Sequence, residues 1–438
     1  MEDLEKHSQC SEQIIHEPVT LGFLERYLAI WVFLSMVVGV LIGYFVPNAS
    51  TALEAGEFCG VSGPMAAALM VMMYPILIDV EFESLPRLFS HRDIWKEIAI
   101  NLVFNWILSP MIMFGLSWAL LPDQPELREG LILVGIARCI AMVLIWVKLA
   151  HADSSLGALL LAMNALLQIA LYAPVSILFI QVFHGGGSDA TASSVSTAEA
   201  YKTTAGSVGV FLGIPLGLAA LTRVVFRRIR FLPLKRWQNK TPEEVFDIVG
   251  KLVMSPMSLI GLLATIIILF VAQGHQVIKR ITSVLRVVAP MSLYFPLTFM
   301  GTLYFCWKVL PLLGVTFDVA RTLENKSNHR EDIVADQKLP ETIKCRHMSY
   351  DRAAMHAFLA ASNNFELAIA VAAARYGSDS KQSLATSVGP LVEVPLMLGL
   401  VRVAEWYRKR WEDVNKEEQQ EELRQQDTLE SERTLHEN

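Results

Sequence analysis

One cysteine of this chain stands next to a charge inside an otherwise apolar stretch. The stretch GIARCIAMVLIW covers residues 135–146 and places Arg138 directly beside Cys139. The thiolate form of cysteine is its reactive form, and a neighbouring cation favours it. A thiol beside a guanidinium is therefore the first candidate site.

A second apolar stretch carries an unusual density of polar side chains. The segment ASNNFELAIA, residues 361–370, brings Ser362, Asn364 and Glu366 into a short part of an apolar helix. An ionisable side chain at the centre of a bilayer costs about 2.5–3.5 kcal/mol. We expect Arg138 and Glu366 to lie together, where the two charges would offset each other.

The elements that position these residues follow from composition. The 438 residues are 53% hydrophobic and only 18% charged, which lies outside the range of soluble domains and indicates a polytopic membrane protein. About 20 apolar residues are needed to span a bilayer as a helix. Ten such runs are predicted: Tyr27 to Pro47, Val61 to Val80, Lys96 to Leu120, Glu129 to Leu149, Leu156 to Phe183, Tyr201 to Arg223, Lys251 to Gln273, Arg286 to Leu310, Arg352 to Tyr376 and Gln382 to Trp406.

Lysine and arginine set the expected orientation, because cytoplasmic loops carry an excess of them. The links 83–95, 224–250 and 311–351 and the C-terminal tail hold most of these residues, whereas 48–60 has none and 121–128 has one. Both termini are therefore expected in the cytoplasm. The link 274–285 argues weakly against this topology, since it carries two positive charges.

The sequence offers little support for enzymes or for ATP-driven pumps. Its five cysteines are an odd number without metal-type spacing, which excludes a disulfide framework and a CxxC zinc site. Walker, HExxH and plausible GxSxG motifs are absent. A carrier is the leading class, and we expect no cofactor and no nucleic-acid partner.

A weak internal repeat supports a carrier. VGVLIG at 38–43 in the first helix resembles VGVFLG at 208–213 in the sixth, five helices later and thus of opposite orientation. Inverted repeats of this kind are typical of secondary transporters, whose sites lie at interrupted helices near the midplane. The repeat predicts that the fourth and ninth helices correspond, are both broken, and cross at the site.

The domain boundaries follow from these spans. We expect a cytoplasmic N-terminal tail, a first five-helix repeat, an extracytoplasmic linker, a second five-helix repeat that contains the loop 311–351, and an acidic cytoplasmic tail. The corresponding ranges are 1–25, 26–184, 185–200, 201–410 and 411–438.

Several long segments, in the same order, resemble those of a known family. Besides 135–146 and 361–370, these are NALLQIALYAP (164–174), SVGVFLGIPLG (207–217) and GPLVEVP (389–395). They look like the arsenite permeases of the bile acid/arsenite/riboflavin transporter superfamily, particularly the fungal type, over about residues 22 to 410. The resemblance implies an all-α membrane protein with ten helices in two inverted repeats, a core and a panel domain, and efflux of arsenite, sometimes with antimonite, in exchange for protons.

The resemblance also implies site residues. Cys139 matches the family's essential cysteine and is the expected arsenic ligand. The family's substrate-binding positions map to Arg138, Trp146, Asn164, Tyr294, Ser362, Asn364 and Phe365. Its proton-coupling positions map to Glu366 and Glu393. Positions that support transport map to Asn105, Arg223 and Phe358.

The residue types agree with that chemistry. Trivalent arsenic prefers a soft thiolate to a carboxylate, and a single thiolate assisted by hydroxyl and amide groups would permit release as well as capture. Glu366 is then the natural proton carrier, with a protonation state that decides whether the site holds arsenite.

Simpler roles remain open for several of these residues. Arg223 lies at the end of its helix, where arginine often anchors a protein at the membrane interface. Glu393 could be a buried, hydrogen-bonded acid. Asn105 and Asn164 could only join helices, and Tyr294 and Phe358 could be packing aromatics.

Two other function classes remain as alternatives. A sodium-coupled carrier of bile acids or other organic anions would need oxygen ligands for sodium and would not need Cys139. A receptor or sensor would use the fold without turnover. We expect the plasma membrane as the location, with the vacuolar membrane as the alternative; no expectation for the oligomeric state follows.

Overall fold

The protein is described as a computed structural model. It covers residues 27–46, 49, 53, 56–58, 61–78, 94–140, 142–183, 197–228, 255–313, 317–319, 343–345, 348–377 and 380–410. The two predicted tails, 1–25 and 411–438, lie outside the described residues, and the linker 185–200 and the loop 311–351 are described only in part.

The described chain is almost entirely helical. The helices are α1 (Leu28–Phe45), α2 (Gly63–Ile78), α3 (Ile94–Leu102), α4 (Ser109–Leu120), α5 (Pro125–Ile136), α6 (Val143–Leu149), α7 (Ser154–Ile177), α8 (Thr197–Val208), α9 (Ile214–Arg228), α10 (Ser255–Lys279), α11 (Ile281–Tyr304), α12 (Leu310–Leu312), α13 (Tyr350–Ala361), α14 (Phe365–Tyr376), α15 (Lys381–Ser387) and α16 (389–410).

Short irregular elements extend or connect these helices. Four π-helical segments continue α3, α7, α8 and α11: Val103–Leu108, Leu178–Phe183, Gly209–Gly213 and Phe305–Val309. Two small antiparallel ladders pair β1 (Glu57–Phe58) with β2 (Val61–Ser62), and β3 (Phe317–Val319) with β4 (Ile343–Cys345).

Five helical stretches are long and apolar enough to cross a membrane: Ile94–Leu120, Ser154–Gln181, Ala198–Val225, Ile281–Val309 and Lys381–Arg410. Three shorter apolar helices accompany them, at Ile30–Phe45, Gly63–Pro75 and Leu259–Ala272. The five long stretches agree with predicted spans to within a few residues. The chain is therefore a helical integral membrane protein.

The predicted link 274–285 is wrong. Helix α10 continues to Lys279 and α11 begins at Ile281, so the two helices are joined through Arg280 alone. Positive charges in this stretch did not mark a loop, because polar residues at the end of an apolar run can simply extend the helix beyond it.

The two copies of the glycine pattern have different surroundings. A Cβ atom at Gly39 would lie 2.8 Å from the carbonyl oxygen of Ile267, and one at Gly274 would lie 3.0 Å from that of Val40, so α1 and α10 pack backbone to backbone. This is the close approach that small residues permit in membranes. At Gly209 and Gly213 a Cβ would meet nothing within 4 Å. The two copies therefore differ in how closely their glycines approach a neighbouring helix.

Two helices are interrupted. Residues 137–142 separate α5 from α6, and residues 362–364 separate α13 from α14. The second break has a local cause, since the Asn364 side chain accepts a hydrogen bond from the backbone N–H of Leu367 and caps α14. Helix α4 packs on α5, and α11 packs on α13, which holds the interrupted helices in the interior.

Candidate functional site

The backbones of the two interruptions meet. Arg138 and Asn363 form an antiparallel β-bridge, and the N–H of Asn364 donates to the carbonyl of Ala137 over 3.0 Å. The N–H of Cys139 lies 3.5 Å from the carbonyl of Ser362. Backbone groups released from a helix must find partners when no water surrounds them. Here each break supplies partners for the other.

Side chains satisfy further backbone groups of the breaks. The amide nitrogen of Asn363 donates to the carbonyls of Val134 over 2.7 Å and of Ala137 over 3.2 Å. The backbone N–H of Arg138 donates to Oε1 of Gln168 over 2.5 Å. The junction is therefore held by α5, α7 and the 362–364 segment together.

The Arg138 guanidinium is fully buried and bonded mainly to carbonyl oxygens. Its Nη1 donates to Ala360 over 3.2 Å, and its Nη2 donates to Gly135 and, over 3.3 Å, to the Tyr294 hydroxyl. An ion pair with Glu366 was expected, but within the described part of the chain Arg138 makes no salt bridge. Carbonyl dipoles at the ends of α5 and α13 stabilise the charge instead, as helix C-termini do for cations.

Two carboxyl groups flank the second interruption. Glu393, on α16, is 1% exposed, accepts a long 3.4 Å hydrogen bond from the N–H of Asn363, and lies beside the Ser362 hydroxyl. Glu366 lies in the first turn of α14, close enough to Glu393 for electrostatic interaction. Glu366 is partly exposed, whereas its neighbours Phe365 and Leu367 are buried.

Several buried polar atoms around the breaks have no hydrogen-bond partner among the described residues. Such atoms are rare in protein interiors, and they are available to bind the polar groups of a ligand. They belong to predicted site residues and to two others: Asn105 Oδ1, Arg138 Nε, Trp146 Nε1, Gln168 Nε2, Ser362 Oγ, Asn363 Oδ1 and Asn364 Nδ2. Donors predominate, so the site suits a small ligand that carries oxygen atoms.

Cys139 belongs to the same junction and is 6% exposed. It is the residue that follows the β-bridge at Arg138. Within the described residues, no group of three or more His, Cys, Asp or Glu side chains could hold a metal ion. Any soft ligand at the junction would therefore meet one thiol rather than a thiol cluster.

Asn105 and Asn164 belong to one network of buried amide side chains. Asn105 lies in the π-helical segment Val103–Leu108 and donates to the carboxamide oxygen of Asn101 over 2.9 Å. Asn101 donates to Asn164 over 2.9 Å, and Trp106 donates to the same oxygen over 3.3 Å. The predicted pair is thus joined through Asn101, which the sequence interpretation missed.

The predicted aromatic residues pack around the second interruption. The ring of Phe358 lies 4.7 Å from that of Phe299, and the ring of Phe365 lies 6.5 Å from that of Phe295 and directly against Gly389. Both predicted rings are buried. They fix the ends of α13 and α14.

Arg223 lies away from this junction, on α9. Its Nη1 donates over 2.6 Å to the carbonyl of Ile78, the last residue of α2. Arginine at a helix C-terminus satisfies a free carbonyl and complements the helix dipole. The structure therefore joins Arg223 to the end of a neighbouring helix and not to the breaks.

Gln168 and Asn363 contact the junction but were not among the predicted site residues. Gln168 is four residues after Asn164, so both amides lie on one face of α7. Asn363 lies between two residues that were selected. Polar spacing on an apolar helix was the signal that could have identified Gln168.

Similar proteins were found along most of the chain. The model of the sodium bile acid symporter family matches residues 66–280. The arsenical-resistance protein Acr3 of Corynebacterium glutamicum is 34% identical over 399 residues, 90% of this chain and 92% of that protein. Acr3 of Alkaliphilus metalliredigens is 27% identical, with 93% and 99% covered, and an uncharacterized transporter of Synechocystis is 28% identical, with 88% and 89% covered.

These similarities identify a class and a family. A symporter family and a transporter are among the matches, so the protein is a transporter and not an enzyme. Similarity to the corynebacterial Acr3 extends over 90% of the chain. The chain belongs to the Acr3 family of arsenical-resistance proteins, within the bile acid/arsenite/riboflavin transporter superfamily.

Proposed function

We propose that the protein exports arsenite from the cytosol in exchange for protons and so confers resistance to arsenic. The observation that carries the proposal is the meeting of the two helix breaks, where Cys139 follows the bridge between Arg138 and Asn363. Arg138, Asn363 and Asn364 each carry a buried polar atom that has no hydrogen-bond partner among the described residues. The arsenical-resistance relatives support arsenite as the substrate. Antimonite, another thiophilic trivalent metalloid hydroxide, is the proposed second substrate.

Cys139 is the proposed arsenic ligand. Soft metals and metalloids prefer thiolate sulfur, and one sulfur binds less tightly than three. The hydroxyl groups of arsenite would accept hydrogen bonds from Trp146 Nε1 and Asn364 Nδ2. With the Ser362 hydroxyl they could either donate or accept a hydrogen bond. One reversible sulfur bond with several hydrogen bonds permits both capture and release.

Glu366 is the proposed proton carrier, and Glu393 is the proposed second coupling group. The partial exposure of Glu366 gives protons a route to its carboxyl group, whereas Glu393 is buried. Because the two carboxyl groups interact, a proton bound at one lowers the cost of charge at the other. Arg138 takes part through this shared field and not through a direct ion pair.

The proposed architecture has ten spans in two inverted repeats, 26–184 and 201–410. Five long helices, three shorter helices and the two interrupted helices together would supply ten spans. Packing supports the repeat: α1, the first span, packs on α10, the seventh, and α9, in the sixth, packs on α2, the second. A twofold relation exchanges these two pairs. The first, second, sixth and seventh spans would form the panel domain, and the others the core.

Orientation and location complete the proposal. The distribution of lysine and arginine supports cytoplasmic termini. In this orientation α13 begins on the cytoplasmic side and α5 on the outer side. Export for resistance would require the plasma membrane; sequestration in a vacuole would serve the same end.

The sodium-coupled alternative is less well supported. The carbonyls of Gly135 and Ala360, at the crossing of the breaks, are oxygen atoms of the type that binds sodium, and the Arg138 guanidinium already binds them. A fixed positive charge there would oppose a second cation.

Reconstitution tests the proposed function. Purified protein in liposomes, with no other protein present, should move arsenite when a pH gradient is imposed and should move protons in the opposite direction. A sodium gradient at constant pH should have no effect. Arsenite flux that follows sodium and ignores pH would reject the proposal in favour of the alternative.

A further inference from the structure

A buried ion cluster joins α3 to α13 away from the arsenite site. The Glu97 carboxylate lies 2.6 Å from Nε2 of His356 and 3.1 Å from Nη1 of Arg352. The Glu97 and His356 side chains are 3% and 1% exposed, whereas the Arg352 side chain is 25% exposed. The cluster therefore extends from the interior to a partly accessible arginine.

Burying such an ion cluster costs free energy, so its presence calls for a functional explanation. Ion pairs taken out of water often contribute less to stability than apolar side chains of the same volume. Ionisable residues inside membrane proteins mark ion and proton pathways. With Arg352 and Glu97 charged, a neutral His356 leaves the cluster balanced.

His356 can accept one more proton. Its Nε2 is engaged by Glu97, and its Nδ1 is buried with no hydrogen-bond partner within the described residues. Histidine is the side chain that ordinarily changes charge between about pH 5 and 8. A proton at Nδ1 would give the cluster a net positive charge and add a buried donor without an acceptor.

Few other titratable groups face the pair. Arg352 contacts Glu97 from α13, and Cys306 lies near it on the segment Phe305–Val309. Lys96 precedes Glu97 on α3, but its side chain projects from a different face of the helix. The remaining titratable side chains on the packed helices are exposed or have other contacts: Lys148, Asp153, Tyr172, Arg286, Tyr294, Tyr304, Lys308, Tyr350 and Asp351.

A stripe of buried polar side chains connects the cluster to the arsenite site. Glu97, Asn101, Asn105 and Ser109 follow at four-residue intervals and are each at most 2% exposed. They therefore lie on one helical face, over roughly 18 Å. The Ser109 hydroxyl donates over 2.8 Å to the carbonyl of Ala360, which also accepts from Arg138.

We propose that Glu97 and His356 form a second proton-binding site of the transporter, separate from Glu366. A proton from solvent binds at Nδ1 of His356, and no other bond forms or breaks. The added charge strengthens the attraction between His356 on α13 and the Glu97 carboxylate on α3. Because α13 ends at Ala361, that change reaches the 362–364 break and Arg138. The proposal rests on the proposed proton coupling and adds a site to it.

The first test measures the proton itself and needs no arsenite. The full-length protein in detergent, with nitrogen-15 in its histidine rings, is titrated by NMR between pH 5 and 8. We expect one ring signal that titrates in this range, is absent in His356→Gln, and is displaced in Glu97→Gln. A His356 signal that does not change over this range would overturn the proposal.

The second test measures arsenite flux against pH in proteoliposomes. In His356→Gln, and in the double variant Glu97→Gln with His356→Gln, we expect the pH of half-maximal flux to shift by at least about one unit, a tenfold change in proton affinity. Flux that falls equally at every pH would mean a purely structural cluster and would reject the proposal. Thermal unfolding identifies variants that fail to fold, and the double variant retains a hydrogen-bonding amide pair.

Asp123→Asn is the matched control, because it removes the exposed ion pair between Asp123 and Arg286. That guanidinium lowers the pKa of Asp123, so the carboxylate stays charged from pH 5 to 8 and its contribution is lost only in more acid solution. The control should keep the wild-type profile. If no protein transports arsenite, the proposed function fails, while the NMR titration still decides the proton site.

Discussion

The ring of Phe365 lies directly over the Cα atom of Gly389. Any Cβ at position 389 would fall inside van der Waals contact with three atoms of that ring. Phe365 is the first residue of α14, immediately after the second helix break. The start of α16 thus sets the position of the residues that end the break.

Gly389→Ala should displace Phe365 and impair transport. Overpacking in a filled interior costs about 1–3 kcal/mol, and we expect a lower thermal midpoint together with a higher arsenite concentration at half-maximal flux. Gly399→Ala is the control on the same helix, since a Cβ there meets nothing within 4 Å. Equal behaviour of the two variants would show that the contact does not matter.

Cys139→Ser should remove the sulfur ligand with little change in volume. We expect arsenite affinity to fall at least tenfold, about 1.4 kcal/mol, while the folded protein persists. Cys306→Ser, at another buried cysteine far along the chain, should retain affinity. Isothermal titration with arsenite measures both. Retained affinity in Cys139→Ser would contradict the proposed ligand.

Glu366→Gln should uncouple arsenite movement from the proton gradient. The amide has nearly the shape of the acid but cannot exchange a proton, so the gradient should no longer accelerate flux. Glu129→Gln is the matched control, because Glu129 accepts a hydrogen bond from Gln382 at the start of α15 and not at the breaks. Flux is compared with and without an imposed pH difference. Continued stimulation in Glu366→Gln would assign the proton to another residue.

Two substitutions can separate the roles of the oxygen and the nitrogen of the Gln168 side-chain amide. Its oxygen accepts from the N–H of Arg138, so its Nε2 must point elsewhere, and that nitrogen is buried without a partner among the described residues. Gln168→Glu should keep the acceptor and the fold but weaken arsenite binding. Gln168→Leu should also leave the backbone N–H of Arg138 without an acceptor, which should lower the free energy of unfolding by about 1–3 kcal/mol. Thermal midpoints and arsenite titrations separate the two effects; identical results for both variants would refute this division.

Much of the helical framework was predictable from sequence, because apolar length alone identifies spans. The stretch Ile94–Leu120 was expected from Lys96, and Lys381–Arg410 from Gln382. The break at 362–364 also has a local signal, since Ser and Asn compete with helical hydrogen bonds. The break at 137–142 has no such signal in ARCI; its backbone is held by residues distant in sequence.

The partners of Arg138 could not be predicted. Charge compensation suggested Glu366, but carbonyl oxygens and the Tyr294 hydroxyl surround the guanidinium. Every residue has a backbone carbonyl, so no residue type in the sequence indicates that carbonyl oxygens will bind the Arg138 guanidinium. The π-helical segment that carries Asn105 was equally hidden, because a single extra residue per turn leaves no mark on an apolar pattern.

The bridge between Arg138 and Asn363 limits how the protein can alternate its access. Prying the two breaks apart would leave the N–H of Asn364 and the carbonyl of Ala137 without partners in a water-free interior. We therefore expect both breaks to move together as one rigid body, with the proposed metalloid substrate bound between them. Gates that open and close would then form where this body slides against the remaining helices.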